Sequence, residues 1–293
     1  MKYVFFGSPR FASIVLNGLM DAGFPPAAVV CNPDRPVGRK KIVTPPPVKS
    51  LVAAPVAILQ PEKLDAAFAE DLKALAPDFF VVAAYAKIIP QAILDIPRFG
   101  TLGVHPSLLP CHRGSSPIQS AILDGDRETG TTIYLMDAKM DHGPIVAREA
   151  VPLDALAASY EDLEAELASL GVKLLSKIIP QFAARGAEGL SSAHAGAPVA
   201  QDESLATYTR KFTTEDGRVE ERDLGAAQAG DQKTAEAILR TMNALGKEPG
   251  VWTMMNGIRV KLLAARIENG VLHITRIQEE GGVPKDVRVK PAR

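Results

Sequence analysis

The first two-thirds of the chain alternate between two signals. Short runs rich in β-branched, aromatic and alanine residues, at 3–6, 27–31, 56–59 and 79–84, are separated by segments whose apolar residues return at helical spacing, as at 11–22 and 64–75. Strands buried on both faces read as continuous apolar runs, and parallel neighbours need a crossover long enough to hold a helix. The alternation therefore predicts a Rossmann-like α/β domain with a mostly parallel sheet. Runs at 131–136 and 144–150 read as two further strands, an antiparallel edge being compatible with such a sheet. Between 159 and 184, Leu163, Leu167, Leu170, Leu174, Leu175, Ile178, Ile179 and Phe182 define a closing helix that Pro180 is expected to end or bend.

The text then changes. Residues 186–198 are rich in Gly, Ala and Ser without periodicity and read as a linker. Beyond them, a helix at 234–245 and strand-like runs at 250–255, 258–264, 271–277 and 287–289 predict a small β-rich domain, a β-barrel of OB-like type. The domain reading is 1–185, a linker at 186–204, and 205–293.

Several classes are excluded. No uninterrupted apolar run reaches the roughly 18 to 20 residues needed to span a bilayer, so membrane insertion is not expected. The opening Met1-Lys2-Tyr3-Val4-Phe5-Phe6-Gly7 enters a strand without the features of an export leader, and a cytoplasmic protein is expected. Cys31 and Cys111 lie far apart with no metal-ligand spacing, so neither a disulfide framework nor a metal site is expected. A net charge of −1 argues by itself against a generic nucleic-acid binder, and no DNA partner is expected. Two local basic patches remain: Arg35, Arg39, Lys40, Lys41 and Lys49 against the single acid Asp34, and Lys285, Arg288, Lys290 and Arg293 with Asp286. Each reads either as a polyanion contact or as a solvated surface.

The turn after the first strand, Gly7-Ser8-Pro9-Arg10-Phe11-Ala12, has one glycine where a dinucleotide loop needs three, and Pro9 and Phe11 where a pyrophosphate would approach. Gly7 and Pro9 are expected only to shape the turn. More informative is Gly103-Val104-His105-Pro106-Ser107-Leu108-Leu109-Pro110, followed by Cys111-His112-Arg113-Gly114 and later by Met140-Asp141-His142-Gly143-Pro144. A histidine ending an apolar run, locked by a proline before a turn, is well placed to offer an imidazole to a cleft. The alternative is a structural histidine with Asp141 capping a turn.

These motifs, with Asn32-Pro33-Asp34-Arg35-Pro36, Gly38-Arg39-Lys40-Lys41, Ala84-Tyr85-Ala86-Lys87-Ile88-Ile89-Pro90, Pro117-Ile118-Gln119, Gln201-Asp202, Thr207-Tyr208 and Pro249-Gly250-Val251-Trp252-Thr253, extend nearly end to end. Together they resemble the methionyl-tRNA formyltransferases, a branch of the folate-dependent formyltransferases. The resemblance implies transfer of a formyl group from 10-formyltetrahydrofolate to the amino group of methionyl initiator tRNA, by a monomer. It implies His105 as acid/base and Asp141 as its partner. Ser107, Leu108, Leu109 and Pro110 would bind the formyl-folate, and Ala84, Tyr85, Ala86 and Ile88 would line a pterin pocket. Arg35, Arg39, Lys40, Lys41, Lys285, Arg288 and Lys290 would contact tRNA, and Trp252 is expected in the core.

The chemistry suits these residue types. Moving a formyl group between nitrogens passes through a tetrahedral intermediate with an oxyanion, while one nitrogen loses a proton and the other gains one. An imidazole, with an ordinary pKa of about 6.5, can carry that proton. The family places an asparagine two residues before the histidine; here it is Gly103, a degenerate position. A backbone N–H, a water admitted by the missing side chain, or His142 is expected to take over part of the task, with activity retained; a large gain in rate on restoring Asn at 103 would mark a weakened enzyme, and no activity in either form a binder. Formylation of an amino-sugar nucleotide, and a tRNA- or folate-binding relative without catalysis, are the alternatives.

Overall fold

The computed structural model describes residues 2–38, 40–52, 55–185 and 197–287. Arg39, Arg288, Lys290, Arg293, residues 186–196 of the linker expected at 186–204 and the end of the strand expected at 287–289 lie outside the described residues. The chain divides into two compact units, Met1–Gly114 with Gly130–Val151 and Glu164–Tyr208, and Ser115–Thr129 with Pro152–Leu163 and Thr209–Arg293.

In chain order the elements are β1 (Tyr3–Phe6), α1 (Arg10–Asp21), β2 (Ala28–Val30), β3 (Arg35–Val37), β4 (Ile42–Thr44), β5 (Ala57–Leu59), α2 (Ala66–Ala74), β6 (Phe79–Ala83), α3 (Gln91–Leu94), β7 (Thr101–His105), β8 (Arg113–Gly114), α4 (Pro117–Asp124), β9 (Glu128–Leu135), β10 (Ile145–Pro152) and α5 (Tyr160–Arg185). They continue with β11 (Tyr208–Thr209), α6 (Glu221–Gln228), α7 (Gln232–Leu245), β12 (Trp252–Met255), β13 (Ile258–Glu268), β14 (Val271–Glu279) and β15 (Lys285–Asp286).

The first unit is built on a seven-stranded sheet in the order β10-β9-β7-β6-β1-β2-β5. Its β1–β2, β1–β6, β2–β5 and β6–β7 pairs are parallel, and β9 joins β7 antiparallel. The mostly parallel sheet expected from the alternation is therefore present. Every residue of β1, β2 and β6 is buried, as parallel strands covered on both faces require. Gly7 leaves β1 where a Cβ would lie 2.5 Å from Ala12 Cβ and 2.7 Å from Ala83 O, so only glycine lets α1 begin there.

α5 runs through Pro180 to Arg185 and does not end there. An interior proline costs about 3 kcal/mol, but ending the helix would withdraw Phe182, which is fully buried edge-on to Phe79 at 5.6 Å. Burial of Ile178, Ile179 and Phe182 offsets the lost hydrogen bond. α5 is also long and apolar enough to cross a membrane by length and composition, with a mean hydropathy of 1.2 over a window that is 50% buried inside the protein. Residues 32–49, which carry the first basic patch, contain an antiparallel hairpin of β3 and β4.

In the second unit, β12-β13-β14-β15 form a four-stranded antiparallel sheet with α7 packed on β13 and β14. Asn256-Gly257 and Asn269-Gly270, all at positive φ, make the two tight turns that fix its hairpins. Trp252 is buried, and its Nε1 donates to Thr214 O at 2.9 Å. The unit also takes in two segments that the sequence reading kept with residues 1–185. α4 packs on α7, and Asn243 Nδ2 donates to the carbonyls of Ala155 and Leu156. The interleaving depends on contacts distant in sequence, which periodicity does not register.

Candidate active site

The register of β7 with β9 pairs Gly103 with Tyr134 and His105 with Thr132. His105 is thus the last residue of a wholly buried strand, and Pro106, lacking an N–H, ends the ladder. The following turn is held by buried polar groups. The Ser107 hydroxyl donates to Cys111 O (2.6 Å), and the Thr132 hydroxyl donates to Ser107 O (2.7 Å) while accepting from Leu109 N (3.1 Å). Arg148 Nη1 donates to Leu109 O at 3.0 Å.

His105 Nε2 lies 2.9 Å from His112 O. A carbonyl only accepts, so Nε2 carries the proton and the neutral ring has its lone pair at Nδ1. That nitrogen faces Asp141 Oδ2 at 3.7 Å. Asp141 sits at a left-handed φ of 49°, and its carbonyl accepts from Gln201 Nε2 at 2.9 Å. Both carboxylate oxygens are partnered: Oδ2 accepts from Gly114 N and Oδ1 from the Tyr134 hydroxyl, each at 2.7 Å. A Cβ at Gly143 would stand 1.7 Å from Leu135 O, which makes glycine obligatory in the turn that returns the chain beside β9.

Arg113 braces the same loop from below. Its side chain is 1% exposed, with Nη2 donating to Gln201 Oε1 (2.8 Å) and Glu203 Oε1 (2.6 Å), and Nη1 to Glu203 Oε2 (3.0 Å) and the Tyr208 hydroxyl (3.1 Å). These bonds hold the Glu203 carboxyl below its ordinary range and the guanidinium above its own. Gln201 also donates to Gly143 O at 2.8 Å. The segment 201–208, expected as the end of the linker and the first residues of the second domain, is therefore built into the first unit.

The place left by Gly103 is filled. A Cβ there would lie 2.3 Å from Tyr134 Cε1 and 2.6 Å from Cζ, so the tyrosine ring takes the room expected for a water or a restored amide. The His142 ring faces two carboxylates. Its Nδ1 is 2.7 Å from Asp137 Oδ2 and its Nε2 3.5 Å from Glu203 Oε1.

Of the expected folate residues, Ser107, Leu109 and Pro110 are buried and shape the turn, leaving Leu108 half-buried. Ala84, Ala86 and Ile88 are exposed, Ile88 at 90%. Tyr85 packs edge-on to Phe6 at 5.5 Å; its hydroxyl is buried with no hydrogen-bond partner among the described residues, as is Asn32 Oδ1. Burial pushes the Tyr85 phenol up to about 12, so it is a neutral donor. Lys87, not singled out by sequence, ties this strap to the carbonyls of Pro61 and Glu62. Of the basic residues, Lys40 and Lys41 are exposed, Arg35 pairs with Glu62 at 2.5 Å, Lys285 with Glu279 at 2.6 Å, and Lys49 is drawn inward to Asp34 and Gln60. Among the described residues, no group of three or more His, Cys, Asp or Glu side chains is placed to hold a metal ion.

A mostly parallel α/β sheet with an imidazole and a carboxylate brought together by adjacent strands is the framework of a group-transfer enzyme. The chain belongs to the formyl transferase family: the formyl transferase model matches residues 1–179, and the formyl transferase C-terminal domain matches residues 232–281. It is 39% identical to the methionyl-tRNA formyltransferase of Halorhodospira halophila over 90% of this chain and 79% of that protein. It is also 39% identical to the methionyl-tRNA formyltransferase of Chloroflexus aurantiacus over 91% and 80%. In fold it is similar to the methionyl-tRNA formyltransferase from Clostridium thermocellum, with a TM-score of 0.59 at 17% identity over 95% and 99% of the two chains.

Proposed function

We infer that the chain transfers the formyl group of 10-formyltetrahydrofolate to the amino group of methionyl initiator tRNA in the cytoplasm. The observation that carries this reading is the His105–Asp141 pair in a chain 39% identical to methionyl-tRNA formyltransferases along most of its length. The amine nitrogen bonds to the formyl carbon and its proton passes to His105 Nδ1, where the Asp141 carboxylate balances the new charge. His112 O keeps the ring from turning by holding Nε2–H. Collapse of the tetrahedral species breaks the bond to the folate nitrogen, which takes the proton back from Nδ1.

The unpartnered Tyr85 hydroxyl and Asn32 Oδ1 suit a flat heteroaromatic ring edged with donors and acceptors. Ala84, Ala86, Ile88 and Leu108 would supply its apolar walls, while Ser107, Leu109 and Pro110 act through the shape of their turn. Lys40 and Lys41 would grip RNA phosphates, with Arg35 and Lys285 recruited from their exposed ion pairs. One chain supplies both members of the His105–Asp141 pair, which supports action as a monomer.

The test is formylation of methionyl initiator tRNA with 10-formyltetrahydrofolate by the native protein and His105→Ala, with an amino-sugar nucleotide as rival acceptor. Product on the tRNA from the native protein alone is expected. Product on the sugar nucleotide alone overturns the substrate, and tRNA binding without product overturns the chemistry.

A further inference from the structure

Gly103 and Tyr134 face each other across the β7–β9 ladder, and their relation goes beyond packing. Gly103 has no positive φ, so its backbone does not demand glycine; what demands it is the Tyr134 ring, whose Cε1, Cζ and Cδ1 would lie 2.3, 2.6 and 3.0 Å from any Cβ at 103. Real Cβ contacts do not come this close, and a ring backed by close-packed strands has little room to retreat. Drawn over Gly103 in this way, the ring delivers its hydroxyl to Asp141 Oδ1 at 2.7 Å.

Resting on the formyl-transfer reading above, we propose that Tyr134 is a positioning residue of this site: its hydroxyl holds the Asp141 carboxylate against His105, and Gly103 supplies the room for its ring. Positions 103 and 134 act as one unit.

The geometry explains why such a brace is needed. Asp141 stands on a turn at left-handed φ, outside the sheet, and its two oxygens are fixed by donors of different origin. Gly114 N, on Oδ2, belongs to the same loop that holds His105 through His112 O, so it moves with that loop. Tyr134, on Oδ1, belongs to β9 and ties the carboxylate to the sheet from which His105 itself projects. Without that bond the carboxylate keeps one donor and can turn about its own axis. Burial, with the charges of Asp141 and Asp137 nearby, raises the Tyr134 phenol well above its ordinary range, so it remains a donor throughout the neutral and mildly alkaline range.

The experiment measures kcat, KM for both substrates and Tm for the native protein, Tyr134→Phe, Gly103→Ala, Tyr134→Met and Gly103→Ala/Tyr134→Met. Tyr134→Phe keeps the ring and removes only the hydroxyl; kcat is expected to fall on the order of 10- to 100-fold, the scale of a misplaced catalytic group, with both KM values and Tm little changed. Gly103→Ala is expected to lower kcat by displacing the ring, and to cost nothing further once Tyr134 is already Met, the non-additivity of two residues with one task. Native kcat in Tyr134→Phe, or a change confined to KM or Tm, overturns the positioning role while leaving the reaction in place. No product from the native protein removes the reaction reading and this proposal with it. Full additivity in the double variant also overturns it, since positions 103 and 134 would then act separately.

Discussion

The turn after His105 and the hairpin of β3 and β4 belong to the same unit and are built on opposite plans. The turn buries its polar groups and bonds them: Ser107, Thr132 and Arg113 are at most 1% exposed, and each is satisfied within the chain. The hairpin has three-residue strands and leaves Val37, Ile42 and Val43 exposed at 58%, 62% and 64%. Among the described residues, neither Lys40 nor Lys41 has an ion-pair partner. Proton transfer needs atoms held to fractions of an ångström, and only buried, mutually satisfied contacts give that. On the proposed reading of the hairpin, a surface that closes on a large polyanion must instead keep its charges and apolar area free until the partner arrives. The same chain stores geometry in one place and withholds contacts in the other.

The sharpest way to break this contrast is to remove the imidazole. His105→Ala is expected to lower kcat on the order of 100- to 10,000-fold, with a lower Tm from the lost bond to His112 O and tRNA binding intact by filter retention. A loss confined to tRNA binding would mean that the turn, too, is a contact surface.

Next in size is the brace under the turn. Arg113→Ala leaves Gln201 and Glu203 without their buried partner and is expected to cost roughly 2 to 3 kcal/mol of stability, read from urea unfolding, together with lower kcat. Arg113→Lys should recover little, because a point charge cannot make the forked contacts to Gln201, Glu203 and Tyr208 together. Full recovery by lysine would show that charge alone matters there.

How much of this was legible in the sequence follows from the range of each interaction. β1, β2 and β6 were legible because a run such as Tyr3 to Phe6 carries its burial in its own composition. The pairing of His105 with Asp141 was legible from their motifs. Tyr134 was not, because its meaning lies in a strand register: only when β9 pairs with β7 does a tyrosine meet a glycine. The available signal was the glycine itself, since an isolated glycine within a strand marks a close approach by some other group. Pro180 does not end α5 because the local rule about proline is outweighed by the buried Phe182 two residues on. Lys49 counted as part of a basic patch until Asp34 and Gln60 were seen to hold it.

The hairpin yields a smaller effect of a different kind. Lys40→Ala/Lys41→Ala is expected to raise KM for the tRNA several-fold and leave kcat alone. The slope of log K against log salt should fall by about one for each lysine that meets a phosphate. An unchanged slope would show that the hairpin is only a solvated surface.

The smallest effect tests whether the turn's order is electrostatic in part. Glu203 bonds to Arg113, which lowers its carboxyl from the ordinary 4.5, with the charges of Arg113, His142 and Lys139 adding to this and burial opposing it. A carboxyl lowered in the folded state binds fewer protons there than in the unfolded chain. Its contribution is therefore complete above the ordinary range and is lost as pH falls through the lowered value. Glu203→Gln keeps an acceptor for Arg113 but has no proton to take up. Its stability should lie slightly below the native protein's at neutral pH, and the gap should close as pH drops below 4.5. Because Glu203 is largely solvated, the gap should also narrow in high salt. Parallel curves through the acid range, measured by urea unfolding at successive pH values, would mean that the carboxylate serves the brace by shape alone, and that the buried Arg113 is balanced by the neutral acceptors Gln201 and Tyr208.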